Sequence, residues 1–211
     1  DLVTPASLEE TACALRTRLG SERPVMVAGS THEADENVVI PAFAALLANL
    51  PDALLVLAPR YPERFARATQ LAKAAGLRTA LRSEGEVCSR ETQCFVIDSI
   101  GELMTYYALG DVAFVGGSIG DQGGHNPLEP AALGKPVLVG PNMVNAKEIT
   151  GQLLQCGAAR QVTDQQGFRE TAEIILTDAA LRDRMGQAAR ALVDKNRGAV
   201  DITLKAIEKL L

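Results

Sequence analysis

From residue 24 onward, short apolar runs alternate with longer segments whose apolar positions recur at helical spacing. The runs at 24–28, 53–58, 77–81, 94–97, 111–115, 136–139 and 158–162 have the length and the Val/Leu/Ile content of buried strands. Between them, residues 33–50, 64–75, 101–109, 126–134 and 145–155 read as helices. Gly76 is a natural stop for the second of these. A first helix is predicted over 8–19 behind a Ser7-x-x-Glu10 start, and the chain from Gln165 reads as two or three helices. The polar stretch 82–93 is either a loop or a short edge hairpin. Such strand–helix repetition predicts an α/β fold of Rossmann-like type, a parallel sheet with helices on both faces. Neither an internal repeat nor a Pro- or Ser-rich linker interrupts the order, so residues 1–211 are expected to form a single domain.

In sheets of this kind ligands sit beyond the carboxyl ends of the strands. Four loops fall there: Gly29-Ser30-Thr31-His32-Glu33, Pro59-Arg60, Asp98-Ser99-Ile100-Gly101-Glu102, and the run GGSIGDQGGHNPLEPAA at 116–132. The last carries five glycines within nine residues, which lets the backbone approach a ligand and take positive φ. It leads into a helix entry with Asn126 as cap, Pro127 at the first helical position and Glu129 three residues after the cap. Ser30-x-x-Glu33, Ser99-x-x-Glu102 and Asn126-x-x-Glu129 read as three capping boxes at one rim. Helix starts favour an anion by roughly 0.3 to 1 kcal/mol each. The same boxes and glycines also occur on helices and turns that bind nothing, so local pattern leaves both readings open.

Composition narrows the ligand. The 211 residues carry a net charge of −5, with basic residues dispersed along helical segments, which excludes a basic stripe for nucleic acid. The apolar runs are far short of a membrane span, and the first residues lack the basic start of a signal peptide. Cys13, Cys88, Cys94 and Cys156 form no CxxC pair and have no histidine at metal-ligand spacing. Free thiols, no disulfide and no metal site are therefore expected. The first strand is followed by GSTHEAD where a dinucleotide fold would carry G-x-G-x-x-G, and the second ends in Ala58-Pro59-Arg60 without a ribose-binding acid. Neither G-x-x-x-x-G-K-[ST] nor G-x-S-x-G is present.

GSTHEADE, Ala58-Pro59-Arg60, Asp98-Ser99-Ile100-Gly101-Glu102-Leu103 and VGGSIGDQGGHNPLEPAALGKPVLVGP together resemble the carboxyl-terminal half of the bacterial Kdo (3-deoxy-D-manno-octulosonic acid) transferases of lipopolysaccharide synthesis. These are glycosyltransferases of the GT-B fold, built from two Rossmann-like domains. The resemblance implies a CMP-Kdo-binding domain, a lipid A precursor as acceptor, inversion at the anomeric carbon, and no cofactor or metal. It further implies that the general base, the acceptor groove and a membrane anchor belong to an amino-terminal half with no counterpart here. No catalytic residue is then expected within the chain, which is expected to be soluble and to bind CMP without turnover. The full enzyme would act at the cytoplasmic face of the inner membrane.

Carried onto this sequence, the resemblance implies that CMP is held by Pro59 and Arg60, by Ile100, Gly101 and Glu102, and by Asn126, Pro127, Leu128 and Glu129. Glu129 would accept hydrogen bonds from the ribose hydroxyls, contacts worth roughly 1.5 to 3 kcal/mol, or else only close its capping box. Asn126, the glycine-loop amides including Gly117, and Ser118 would meet the phosphate. Gly101 would let main chain near Ile100 and Glu102 approach the base, with Glu102 otherwise a cap. Arg60 would contact phosphate or base, or remain a solvated loop arginine. Ser30, His32 and His125 would face the leaving phosphate or the sugar carboxylate, unless the histidines are structural. Glu33, Asp35 and Glu36 read as an acidic helix start that suits the dipole and not as a catalytic pair. Two other readings share the pattern: a GT-B-fold UDP-sugar 2-epimerase, and a non-catalytic ligand- or partner-binding domain.

Overall fold

The computed structural model describes residues 6–85 and 88–196. The sheet comprises β1 (Val25–Thr31), β2 (Leu54–Pro59), β3 (Thr79–Leu81), β4 (Cys94–Val96), β5 (Val112–Val115), β6 (Val137–Val139) and β7 (Ala159–Gln161). Every pairing is parallel and the order is β3-β4-β2-β1-β5-β6-β7. The helices are α1 (Ala6–Leu19), α2 (Glu33–Leu46), α3 (Pro62–Ala74), α4 (Leu103–Leu109), α5 (Leu128–Ala132), α6 (Lys147–Gln155), α7 (Gln165–Thr177) and α8 (Ala179–Asn196). All seven strand and all helix expectations find an element, usually shortened by one to four residues at an end. The helix expected over 145–155 divides into a 3-10 turn (Val144–Ala146) followed by α6. Residues 82–93 contribute no strand among the described residues, so the loop reading holds over a hairpin. A third terminal helix would lie beyond Asn196, outside the described residues.

Burial on both faces explains why the strands read as continuous apolar runs. One face of β1, β2 and β5 presents Met26, Leu55, Leu57 and Phe114 to α2, α3 and α7, where Phe114 meets Phe168 edge-on at 5.5 Å between centroids. The other presents Val25, Val27, Leu54, Val56 and Ala113 to α1 and α4. A third cluster seats α5, α6 and α8 against β6 and β7. Strand order runs outward from β1 through β2 in one direction and from β5 through β6 in the other. The β1/β5 boundary is therefore the switch point at which a ligand crevice opens. Among the described residues, no helix is long and apolar enough to cross a membrane.

Candidate functional site

At the switch point the ends of β1 and β5 approach so closely that side chains must be absent. A Cβ on Gly116 would lie 2.3 Å from the Ser30 carbonyl oxygen, and one on Gly29 would lie 2.1 Å from the Tyr107 hydroxyl. Between these glycines Ser30 sits at φ 53°, the single non-glycine residue with positive φ among those described, at a break in the β1–β2 register. Strain of this kind persists where the surroundings over-determine it. Here Gly116 N–H donates to Gly29 O at 2.8 Å and Arg60 N–H to Thr31 O at 2.9 Å, fixing three of the four rim loops to one another.

Asp35 organises the rest of the rim. Its carboxylate, 0% exposed, accepts the N–H groups of His32 at 2.9 Å, Gly117 at 2.7 Å and Ile119 at 3.1 Å. It thereby closes the first turn of α2 and holds the glycine loop against it. The capping pair is thus His32 with Asp35, two residues further along than the expected Ser30-x-x-Glu33 box. Glu36, equally buried, accepts from Arg64 on α3 at 2.6 Å and from the Thr31 hydroxyl at 3.3 Å. The acidic start of α2 is therefore internal scaffolding as well as dipole compensation, a role the sequence reading missed. The signal was present: Asp35 and Glu36 stand four residues before Val39 and Ile40 and so continue the buried stripe of α2.

Two expected phosphate contacts are corrected. Ser118 is 0% exposed; its hydroxyl donates to Val115 O at 2.6 Å and accepts from Gly140 N–H at 2.7 Å, which ties β5 to β6. Its proton is thus not available to a ligand. The Gly117 N–H is likewise taken by Asp35, so Gly117 contributes its turn, at φ +67°, and not its donor. Ser99 and Glu102 do not form a capping box either. The Ser99 hydroxyl donates to the Glu102 carboxylate, which also pairs with Arg82 at 3.1 Å, while Glu102 itself immediately precedes α4.

Asn126 Oδ1 accepts the Leu128 N–H at 3.0 Å, but the cap position of α5 falls on Pro127, buried with φ −76°, one residue past the expected Asn126. Pro59 is buried at the end of β2, and exposed Arg60 follows it, its guanidinium 5.5 Å from the Tyr61 ring centroid. Glu129 is half-buried at the start of α5. Desolvation raises its pKa, while the Asn126 side chain and the charge of Arg60 pull it down. Tyr107, fully buried in α4 with its hydroxyl against Gly29, has its own pKa raised by burial and then by the charge of Glu129. No sequence signal singled Tyr107 out.

His32 and His125 meet across the cleft. Their rings meet edge to edge and nearly coplanar, with centroids 5.1 Å apart and 9° between planes, and their Nε2 atoms lie 2.9 Å apart. Tyr61 closes on His32 edge-on at 5.5 Å. Gly101 stands at φ +92° with nothing within 4 Å of the position a Cβ would take, and Ile100 beside it is 66% exposed. Arg60 thus acts electrostatically on both imidazoles and on the Glu129 carboxyl, while the Gly101 turn lies on the loop that follows β4. Arg60 suits an anionic group, and the carboxyl suits a hydrogen-bond donor.

Residues 20–192 match the family described as glycosyl transferases group 1. The chain is 37% identical over 212 residues to the 3-deoxy-D-manno-octulosonic acid transferase of Haemophilus influenzae, covering 100% of this chain and 50% of that protein. It is 38% identical over 193 residues to the enzyme of the same name from Bordetella pertussis, covering 90% and 45% respectively. The chain thus spans about half the length of these curated relatives. Among solved structures it is similar to the C-terminal CMP-Kdo binding domain of WaaA from Acinetobacter baumannii. The TM-score is 0.83 at 30% identity, covering 90% of this chain and 99% of that domain.

Proposed function

The chain belongs to the group 1 glycosyl transferases and, within them, to the Kdo transferase family, and on that premise we propose that it holds the CMP-Kdo donor for transfer of Kdo to a lipid A precursor. The observation that carries the reading is Glu129, a carboxyl desolvated at a helix start and facing Arg60. Burying a carboxylate is costly unless something accepts its charge, and two ribose hydroxyls would complete its bonds.

In this reading the ribose lies on Glu129, the base enters past Gly101 and Ile100, and the phosphate meets Arg60, Asn126 and the histidine pair. Pro59, Pro127 and Leu128 line the walls, and Ser30 sits beneath the sugar. An acceptor hydroxyl attacks the anomeric carbon, the bond from that carbon to the phosphate oxygen breaks, and configuration inverts. Negative charge then grows on the phosphate, where fixed positive groups lower the barrier because they need no reorganisation. Arg60 and the helix ends supply that charge, with no metal invoked. The general base and acceptor groove belong to a second domain at the cytoplasmic face of the inner membrane, so the 211 residues alone bind CMP without turnover.

Amide chemical-shift mapping with CMP tests the placement. The account predicts the largest perturbations at the amides of residues 60–61, 100–102, 125, 126, 128 and 129. Perturbations confined to the opposite, amino-terminal edge of the sheet would refute it.

A further inference from the structure

We propose that Asn142 and Asn145 are positioning residues which make the donor site prefer a phosphorylated ligand, because they turn carbonyl oxygens of the glycine loop away from the anion. The inference deepens the donor-site reading and rests on it. Both residues stand in the segment between β6 and α6, and together they grip five carbonyls of the loop. Asn142 donates its N–H to Ser118 O at 2.9 Å and its Nδ2 to Gly120 O at 2.9 Å. Asn145 donates its N–H to Gly123 O at 2.9 Å, and its Nδ2 to Gln122 O at 2.7 Å and Gly124 O at 3.4 Å. The two segments are so close that a Cβ on Gly123 would lie 2.7 Å from Asn145 Nδ2, and one on Gly124 2.2 Å from Met143 Sδ.

Sheet order sets the direction of that grip. β5 lies between β1 and β6, so the loop after β5 is flanked by the segment after β6 on one side and by the start of α2, which follows β1, on the other. In a trans peptide the C=O of one residue and the N–H of the next point opposite ways. The unit joining Ser118 to Ile119 is held at both ends, its oxygen by Asn142 and its N–H by Asp35 of α2 at 3.1 Å. The units after Gly123 and Gly124 obey the same rule, since Gly124 N–H donates to Gly117 O at 2.7 Å and His125 N–H to Gly116 O at 3.0 Å. The asparagines thus hold the oxygens toward β6 and turn the amide ends toward β1, the side on which His32 and Arg60 lie. On the unit whose oxygen Asn142 Nδ2 holds, the Asp121 N–H is turned the same way and has no hydrogen-bond partner among the described residues. A loop carbonyl that swung toward β1 would set the negative end of its dipole against the phosphate, whereas a ligand without phosphate would be indifferent to it.

Chemical-shift titration of the chain with CMP and, separately, with cytidine tests this in the wild type and in Asn145→Ala. The substitution changes no charge, so a loss confined to CMP is not the removal of a cation. The expected result is a CMP dissociation constant raised about tenfold or more, with that of cytidine unchanged. Asn142→Ala, which releases Gly120 O and keeps the backbone bond to Ser118 O, carries the same expectation. A smaller change for CMP, or an equal loss for both ligands, would overturn the proposal while leaving the donor site standing. Amide hydrogen exchange needs no ligand. The His125 N–H, on the unit that Asn145 Nδ2 holds, should exchange several-fold faster in Asn145→Ala, and an unchanged rate would overturn the grip. Absence of CMP and cytidine shifts in the wild type would overturn the donor site and the preference together.

Discussion

At the residue scale, the site is governed by carboxylates whose partners are fixed in advance. Asp35→Asn keeps one carbonyl oxygen but turns an NH2 group toward an N–H that the carboxylate now accepts, leaving a buried donor unsatisfied. A loss of roughly 2 to 4 kcal/mol in urea unfolding is expected. Glu129 behaves oppositely. Its raised pKa means that the folded state holds the proton more tightly than the unfolded one, so the ionised carboxyl opposes folding above its ordinary value of 4.5. Glu129→Gln should therefore raise the melting temperature at pH 7 while weakening CMP by about tenfold or more, the loss expected for one charge-assisted contact. A variant that lowers both stability and affinity would mark Glu129 as a structural cap. The turn at Asn126 was legible because its bond from Leu128 N–H uses a local spacing, although α5 starts one residue later than that spacing implied. Ser118 was misread because its two partners, Val115 O and Gly140 N–H, depend on how β5 and β6 are placed side by side.

At the element scale, the rim is held by the seating of α4 and α2 on β1. A Cβ at Gly29 meets the Tyr107 hydroxyl at 2.1 Å and its ring carbon at 2.6 Å, and that ring is buried with no room to retreat. Gly29→Ala should destabilise by about 1 to 3 kcal/mol through overpacking, measured by denaturant unfolding at unchanged m-value. The strand–helix alternation was legible because both faces of the sheet are covered, which makes strands continuous apolar runs and helices amphipathic. Helix starts were less legible. The true cap pair of α2, His32 with Asp35, lies two residues beyond the Ser30 pattern, because Ser30 is held at φ 53° by the β1/β5 contact, a tertiary constraint that no local spacing records. Pairing of Ser99 with Glu102 likewise competes with Arg82, which approaches from the end of β3.

At the scale of the whole molecule, the switch point between β1 and β5 gathers three helix starts, an arginine and two histidines onto one edge, and pH dependence follows from that gathering. Both histidines have pKa values lowered below 6.5, so near and below that pH the unfolded chain binds more protons than the folded one. Stability contributed by the neutral pair is intact above pH 6.5 and falls as the pH drops below it toward the depressed folded values. His125→Gln should flatten the dependence of melting temperature on pH across that window, and an unchanged slope would count against the buried neutral pair. In the donor-site account main-chain groups near Gly101 set the preference for the base, and that is where the account stands or falls. The most direct measurement is calorimetric titration of the chain with CMP and, separately, UMP, repeated with Glu129→Ala. The account predicts binding selective for CMP that is lost in the variant; preference for UMP, or CMP binding indifferent to Glu129, would contradict it.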